Sequence, residues 1–282
     1  MELFFHRWGT PSPEQSHVLR TKLVLLHGMG GTGAIWRPLG ASLENHFEIL
    51  SPDQRGHGRS ILAPDSAPRQ PHGYTPLDYG KDILETLEKN QFHPTWILGH
   101  SMGVRSACAA AFLNPTQVKG LILIDLGFSG VAGGGLGEGL ARFIQILPQG
   151  FPSRSEAKAF MDAHCPDPSI AQYLMAVAQP VRGGAIGELY FPFDHSALIQ
   201  TIEAARDSSA RKWVEALAGQ GMPIRVLRGA KSLVWSSEEF EFEKAHFKKH
   251  PNVEFFEVPE AGHGLPFEKR PWLAKMLQEF CK

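Results

Sequence analysis

Ser101 stands at the centre of Gly99-His100-Ser101-Met102-Gly103, a run of the form Gly-x-Ser-x-Gly. An apolar, strand-like stretch over 95–98 precedes it, and a helix-like one over 104–113 follows. Between strand and helix this pattern makes a turn so tight that only glycine fits two positions to either side of the serine. The hydroxyl is then held out beyond the sheet edge. The amide of Met102 falls at a helix N-terminus, where developing negative charge is stabilised. Such an arrangement suits covalent acyl transfer, provided that a base is at hand. A serine hydroxyl is a weak nucleophile at neutral pH until an imidazole takes its proton. The chain has 13 histidines, and position decides among them. His263, in Val258-Pro259-Glu260-Ala261-Gly262-His263-Gly264, lies between the last predicted strand and the last predicted helix. Loops at the C-terminal ends of parallel strands gather on one edge, so His263 can reach the edge toward which Ser101 points. His100 adjoins Ser101, and adjacent residues point apart, which gives it a supporting place. His246 and His250 have the four-residue spacing of helical metal ligands. With no glutamate between them and no third ligand in view, they read as a solvated basic face.

The run His27-Gly28-Met29-Gly30-Gly31-Thr32-Gly33 follows a buried-strand pattern over 22–27 and admits two readings. Gly28, Gly30 and Gly33 match the G-x-G-x-x-G dinucleotide fingerprint, with Asp53 about 20 residues on where a ribose-binding acid would stand. In the second reading His27-Gly28 opens an oxyanion loop. The amide of Met29 joins that of Met102 in stabilising a tetrahedral intermediate. The second reading also accounts for Ser101 and His263; the first accounts for neither.

The elements that must position these groups alternate. Strand patterns cover 22–27, 47–51, 95–98, 118–126, 224–228 and 253–258, and helix patterns cover 75–92, 101–113 and 271–281. This alternation predicts an α/β fold with a mostly parallel sheet and helices on both faces. It breaks between about 127 and 220. A glycine-rich stretch (Gly127, Gly130, Gly133, Gly134, Gly135, Gly137, Gly139) leads there into helical segments at 140–147, 155–164, 169–178 and 197–205, with no strand pattern of comparable strength. The predicted organisation is a core of 1–126 and 221–282 with a helical cap insertion over 127–220. The glycines read either as its hinge or as an ordinary solvated loop. Phe143, Phe160, Tyr190, Phe191 and Phe193 are candidates for an acyl pocket or for the cap's own core.

Composition narrows the class. The chain has 282 residues, 43% hydrophobic and 20% charged, with a net charge of −1, as in ordinary soluble globular proteins. The basic residues are scattered, which argues against a nucleic-acid partner. Cys108, Cys165 and Cys281 are too few and too scattered for a disulfide framework or a zinc site. No apolar run approaches the length of about 20 residues that a membrane helix needs. The first residues lack the order of a secretory signal. A cytoplasmic protein with no membrane partner is expected, monomeric or homodimeric.

Taken together, His27-Gly28, the loop Asp53-Gln54-Arg55-Gly56-His57-Gly58-Arg59-Ser60, the pentapeptide at 99–103 and Gly262-His263 resemble the α/β-hydrolase superfamily, in its branch of small serine esterases with caps. Ser101 excludes the members with an aspartate nucleophile. The resemblance implies an ester hydrolase with Ser101 as nucleophile, His263 as base, Met29 and Met102 as oxyanion donors, and no metal or organic cofactor. The implied partner is a small-molecule ester.

The chain departs from the common pattern at the third triad member. Most relatives carry an aspartate after the penultimate strand, where this chain reads Arg228-Gly229-Ala230-Lys231-Ser232-Leu233-Val234. Asp125, at the end of the strand after that of Ser101, is on the correct edge to replace it. Some esterases of the superfamily are similar, with a serine left at the usual site. A plain loop-capping role for Asp125, and Glu238 or Glu239 as substitute acids, are the alternatives. His27, Gly28, His100 and Arg105 are candidate substrate contacts, whereas Asp53 and Arg55 read as ordering their own loop. A carbon–carbon bond hydrolase or lyase would use the same serine and histidine. A weakly catalytic, receptor-like ligand-binding protein is the alternative of another class.

Overall fold

The strand β2 (Thr21–Leu26) shows why the sheet forms where it does. Its side chains alternate between two cores: Leu23 and Leu25 point into one, Val24 and Leu26 into the other. A strand buried on both faces needs apolar residues at every position, and each fully buried leucine contributes about 1.5–3 kcal/mol. The computed structural model describes residues 1–10, 20–61, 73–129, 136–206 and 209–282.

In chain order the central elements are β1 (Phe5–Trp8), β2, α1 (Arg37–Leu43), β3 (Phe47–Pro52), α2 (Pro76–Lys89), β4 (Thr95–His100), α3 (Met102–Leu113) and β5 (Val118–Ile124). A second layer follows: α4 (Leu136–Ile146), β6 (Gly150–Phe151), α5 (Arg154–His164), α6 (Pro168–Val177), β7 (Gln179–Pro180), β8 (Leu189–Tyr190) and α7 (His195–Arg206). The chain then returns through α8 (Arg211–Gly219), β9 (Ile224–Gly229), α9 (Ser237–His246), β10 (Val253–Val258), α10 (Leu265–Glu268) and α11 (Arg270–Phe280).

The main sheet has the order β1-β3-β2-β4-β5-β9-β10. Every neighbouring pair is parallel except β1 with β3. Helices cover both faces. Ile83 of α2, Val104 of α3 and Leu217 of α8 pack on one; Leu39 of α1 and Leu277 of α11 pack on the other. Among the described residues no helix is long and apolar enough to cross a membrane.

The expected α/β architecture is present, with four differences in detail. The strand β1 was not anticipated; it is a short antiparallel edge rather than a buried apolar run. The second layer holds a three-stranded sheet, β6-β8-β7, where only helices were expected. Its two-residue strands are too short to show any period. Val214, Leu217 and Ala218 of α8 share a cluster with Val104 and Leu121, so the chain is back on the main core before the expected boundary at 220. Of the expected hinge, Gly137 and Gly139 fall within α4, and Gly130, Gly133, Gly134 and Gly135 lie outside the described residues.

The second layer has its own core. Phe143, Phe191 and Phe193 are buried in it with Leu174 and Leu198, and Phe160 packs against it.

Candidate functional site

The turn between β4 and α3 carries Ser101 at φ +54° and ψ −123°. A non-glycine residue in that region costs about 1–3 kcal/mol and persists only where its surroundings enforce it. Here the backbone does so. A Cβ on Gly99 would stand 2.2 Å from the Gly103 carbonyl oxygen, and one on Gly103 would stand 2.7 Å from that of Leu26. The strand and helix therefore close tightly around the serine, and the Ser101 amide is tied to the Ile124 carbonyl at 2.9 Å.

The loop after β10 brings His263 to the same edge. Its Nε2 lies 3.0 Å from Ser101 Oγ, and its Nδ1 lies 2.8 Å from Asp125 Oδ2. A carboxylate only accepts, so Nδ1 carries the proton and Nε2 is free to receive that of the serine. Asp125 follows β5 at φ +57° and is fully buried. Its other oxygen, Oδ1, accepts the Gly229 amide at 2.8 Å, and the Ser232 hydroxyl donates to Oδ2. A buried carboxylate without such donors would be strongly unfavourable. Glu238 and Glu239, the alternative acids, open α9, where Glu239 caps with Ser236.

The loop after β2 runs immediately beside Ser101: a Cβ on Gly28 would lie 3.1 Å from that of Ser101. Its shape is set by neutral histidines. His57 Nε2 accepts the Gly30 amide, and His27 Nε2 accepts the Gln54 amide, both at 3.0 Å. Burial holds His27 down to about 4 and His57 down to about 3, so both rings accept on one nitrogen while donating from the other. Asp53 is occupied within the loops, accepting the Gly33 amide at 2.7 Å and the Arg59 amide at 2.9 Å. Arg55 pairs with Asp82 at 2.6 Å. Asp53 thus ties two loops together, as the loop-ordering reading expects, with each of its oxygens engaged by a backbone amide.

A cavity of about 360 Å³ opens in front of Ser101, between the main sheet edge and the second layer. Gly28, Met29, His100, Met102, Arg105 and His263 all line it. His27, a candidate substrate contact, does not. It is fully buried behind the loop, and both of its ring nitrogens bond to backbone. His100 sits in the wall with its Nε2 on the His263 carbonyl at 2.8 Å, which ties the His263 backbone to the turn that carries Ser101. Burial, reinforced by the nearby His263 ring, holds His100 down to about 3. Arg105 donates to the carbonyl of Ser129, another residue of the cavity wall.

With this geometry in view, comparison with known proteins is decisive on the family. The model of the alpha/beta hydrolase family matches residues 23–275. The chain belongs to that family. It is 33% identical over 104 residues to a Variovorax paradoxus (strain S110) protein named as a carbamate hydrolase. That match spans 36% of this chain and only 37% of the relative. It is 26% identical over 244 residues to the 2-(acetamidomethylene)succinate hydrolase of Mesorhizobium japonicum, covering 86% of this chain and 81% of that one. Among solved structures a marine microorganism esterase superposes with a TM-score of 0.76 at 19% identity, over 99% of each chain, a likeness of fold.

In this alpha/beta hydrolase the apolar cavity wall comes from residues not singled out in the sequence. Leu140, Ile144, Ile170, Tyr173, Leu174 and Ile202 of the second layer line it. The phenylalanines considered for that role form the second layer's own core instead. Helical period shows that a face is apolar; it does not tell which of two apolar surroundings that face meets.

Proposed function

We propose that the chain is a serine hydrolase that cleaves carboxylic esters of small molecules through an acyl-serine intermediate. The observation that carries this reading is the continuous chain of hydrogen bonds Ser101 Oγ–His263 Nε2 and His263 Nδ1–Asp125 Oδ2, opening on a cavity.

The Ser101 proton passes to His263 Nε2 as Oγ attacks the ester carbonyl. Asp125 keeps the ring in the right tautomer and stabilises the imidazolium. The carbonyl oxygen becomes an oxyanion facing the amides of Met29 and Met102. Neither amide has a hydrogen-bond partner among the described residues, so both are available as donors. Collapse of the intermediate expels the alcohol, which takes the proton from His263. Water then attacks the acyl-enzyme, giving its proton to His263, and the acid leaves as Ser101 is reprotonated. Segment 136–206 acts as a cap that supplies the apolar wall and excludes bulk water. The cavity volume is in the range of small-molecule sites.

A second reading has one observation in its favour. A relative matched over 86% of this chain is named for an acetamido compound, which points to cleavage beside nitrogen. The same serine and histidine would serve, with an amine as leaving group. A series of p-nitrophenyl esters of rising acyl length, set against the matching p-nitroanilides, tests the choice. Ester turnover well above anilide turnover supports the first reading; the reverse order overturns it.

A further inference from the structure

The Met29 amide shares one peptide unit with the Gly28 carbonyl, and that oxygen is crowded with donors. His27 Nδ1 lies 2.8 Å from it. Since His27 Nε2 accepts the Gln54 amide, Nδ1 carries the proton and donates. The Gly31 amide donates at 3.1 Å. The third donor comes from far along the chain: the Tyr173 hydroxyl, on α6 of the cap, at 3.3 Å. The first two donors belong to the loop itself. Tyr173 is the donor that arrives from the other layer.

The loop leaves space for that hydroxyl. A Cβ on Gly31 would stand 1.8 Å from Tyr173 Oη, so any larger residue there would displace the tyrosine. The Tyr173 ring is steadied on its far side by Phe267, at 5.8 Å between centroids. Burial pushes the phenol's pKa up, so the hydroxyl keeps its proton throughout the working range.

A trans peptide is planar, with N–H and C=O pointing in opposite directions. Fixing the carbonyl of Gly28 therefore fixes the aim of the Met29 amide, and donors on the oxygen also polarise the N–H. We propose that Tyr173 is a positioning residue through which the docked cap aims the Met29 amide at the oxyanion, so that cap closure and completion of the oxyanion hole are one event. The inference rests on the acyl-transfer reading above and deepens it.

The test is Tyr173→Phe, which removes one oxygen and keeps the ring. Steady-state kinetics on a p-nitrophenyl ester are paired with inhibition by a trifluoromethyl ketone, which forms a tetrahedral adduct with an active serine. The expected result is a fall of about tenfold in kcat with KM within about twofold. Affinity for the ketone should weaken by the same factor as kcat/KM. Gly31→Ala, which forces the hydroxyl from its seat by the opposite route, should give the same kcat-centred loss. An active wild type whose Tyr173→Phe variant keeps full kcat, or loses only in KM, overturns the proposal while leaving the hydrolase reading intact. A folded wild type that neither turns over esters nor binds the ketone overturns both.

Discussion

Ser232 donates its hydroxyl to Asp125 Oδ2, the same oxygen that receives His263 Nδ1. In the proposed reading, in which Asp125 serves as the triad acid, the position where the resemblance expects that acid is occupied by a hydrogen-bond donor to it. The carboxylate comes from the end of β5, while the loop after β9 supplies Ser232 and the Gly229 amide to hold it.

Asp125→Asn should lower kcat for a nitrophenyl ester by about 10⁴, since an amide cannot hold the imidazole in the productive tautomer or stabilise its cation. Circular dichroism should stay unchanged. The double variant Asp125→Asn/Ser232→Asp returns a carboxylate to the far side of the same ring and should recover about tenfold or more over the single variant. Near-normal activity in the single variant would place the acid elsewhere.

Gly99→Ala should destabilise the fold rather than merely slow the reaction. Its Cβ would meet the Gly103 carbonyl oxygen at 2.2 Å and the Val104 amide nitrogen at 2.8 Å, and these are helix backbone atoms that cannot swing aside. A loss of about 2–3 kcal/mol is expected in urea unfolding. A variant as stable as the parent would show that the turn tolerates more room than its geometry implies.

His27 and His57 give stability a definite pH dependence. Both titrate near 6.5 when unfolded and are held at about 4 and about 3 by burial when folded. Below pH 6.5 the unfolded chain binds more protons than the folded one, so their contribution is complete above 6.5 and is lost as pH falls toward 4. At pH about 5 each should cost about 2 kcal/mol relative to neutral pH. Urea midpoints at the two pH values check this, and His57→Asn should flatten the slope. A slope that is unchanged in the variant would remove His57 as its source.

The legible part of the site was the part written in local chain geometry. Ser101 sits on a turn that glycine spacing dictates, and His263 follows a strand whose apolar run marks its end. The strands β2, β4 and β5 were readable because burial on both faces demands apolar residues along most of their length. What escaped were features decided by tertiary contact. The strand β1 and the two-residue strands of the second layer have no period to read. Tyr173 was one aromatic residue on a predicted helix, with nothing local to show that its hydroxyl would reach a carbonyl 145 positions away. His27 looked available to substrate until the fold placed it behind its own loop.

The most direct measurement is covalent labelling with a fluorophosphonate, read by mass spectrometry of the peptide that contains residue 101. A stoichiometric phosphonyl adduct on Ser101 is predicted, with labelling strongly slowed in His263→Ala. A folded protein that stays unlabelled at Ser101, or that labels equally fast without His263, would contradict acyl transfer through this serine.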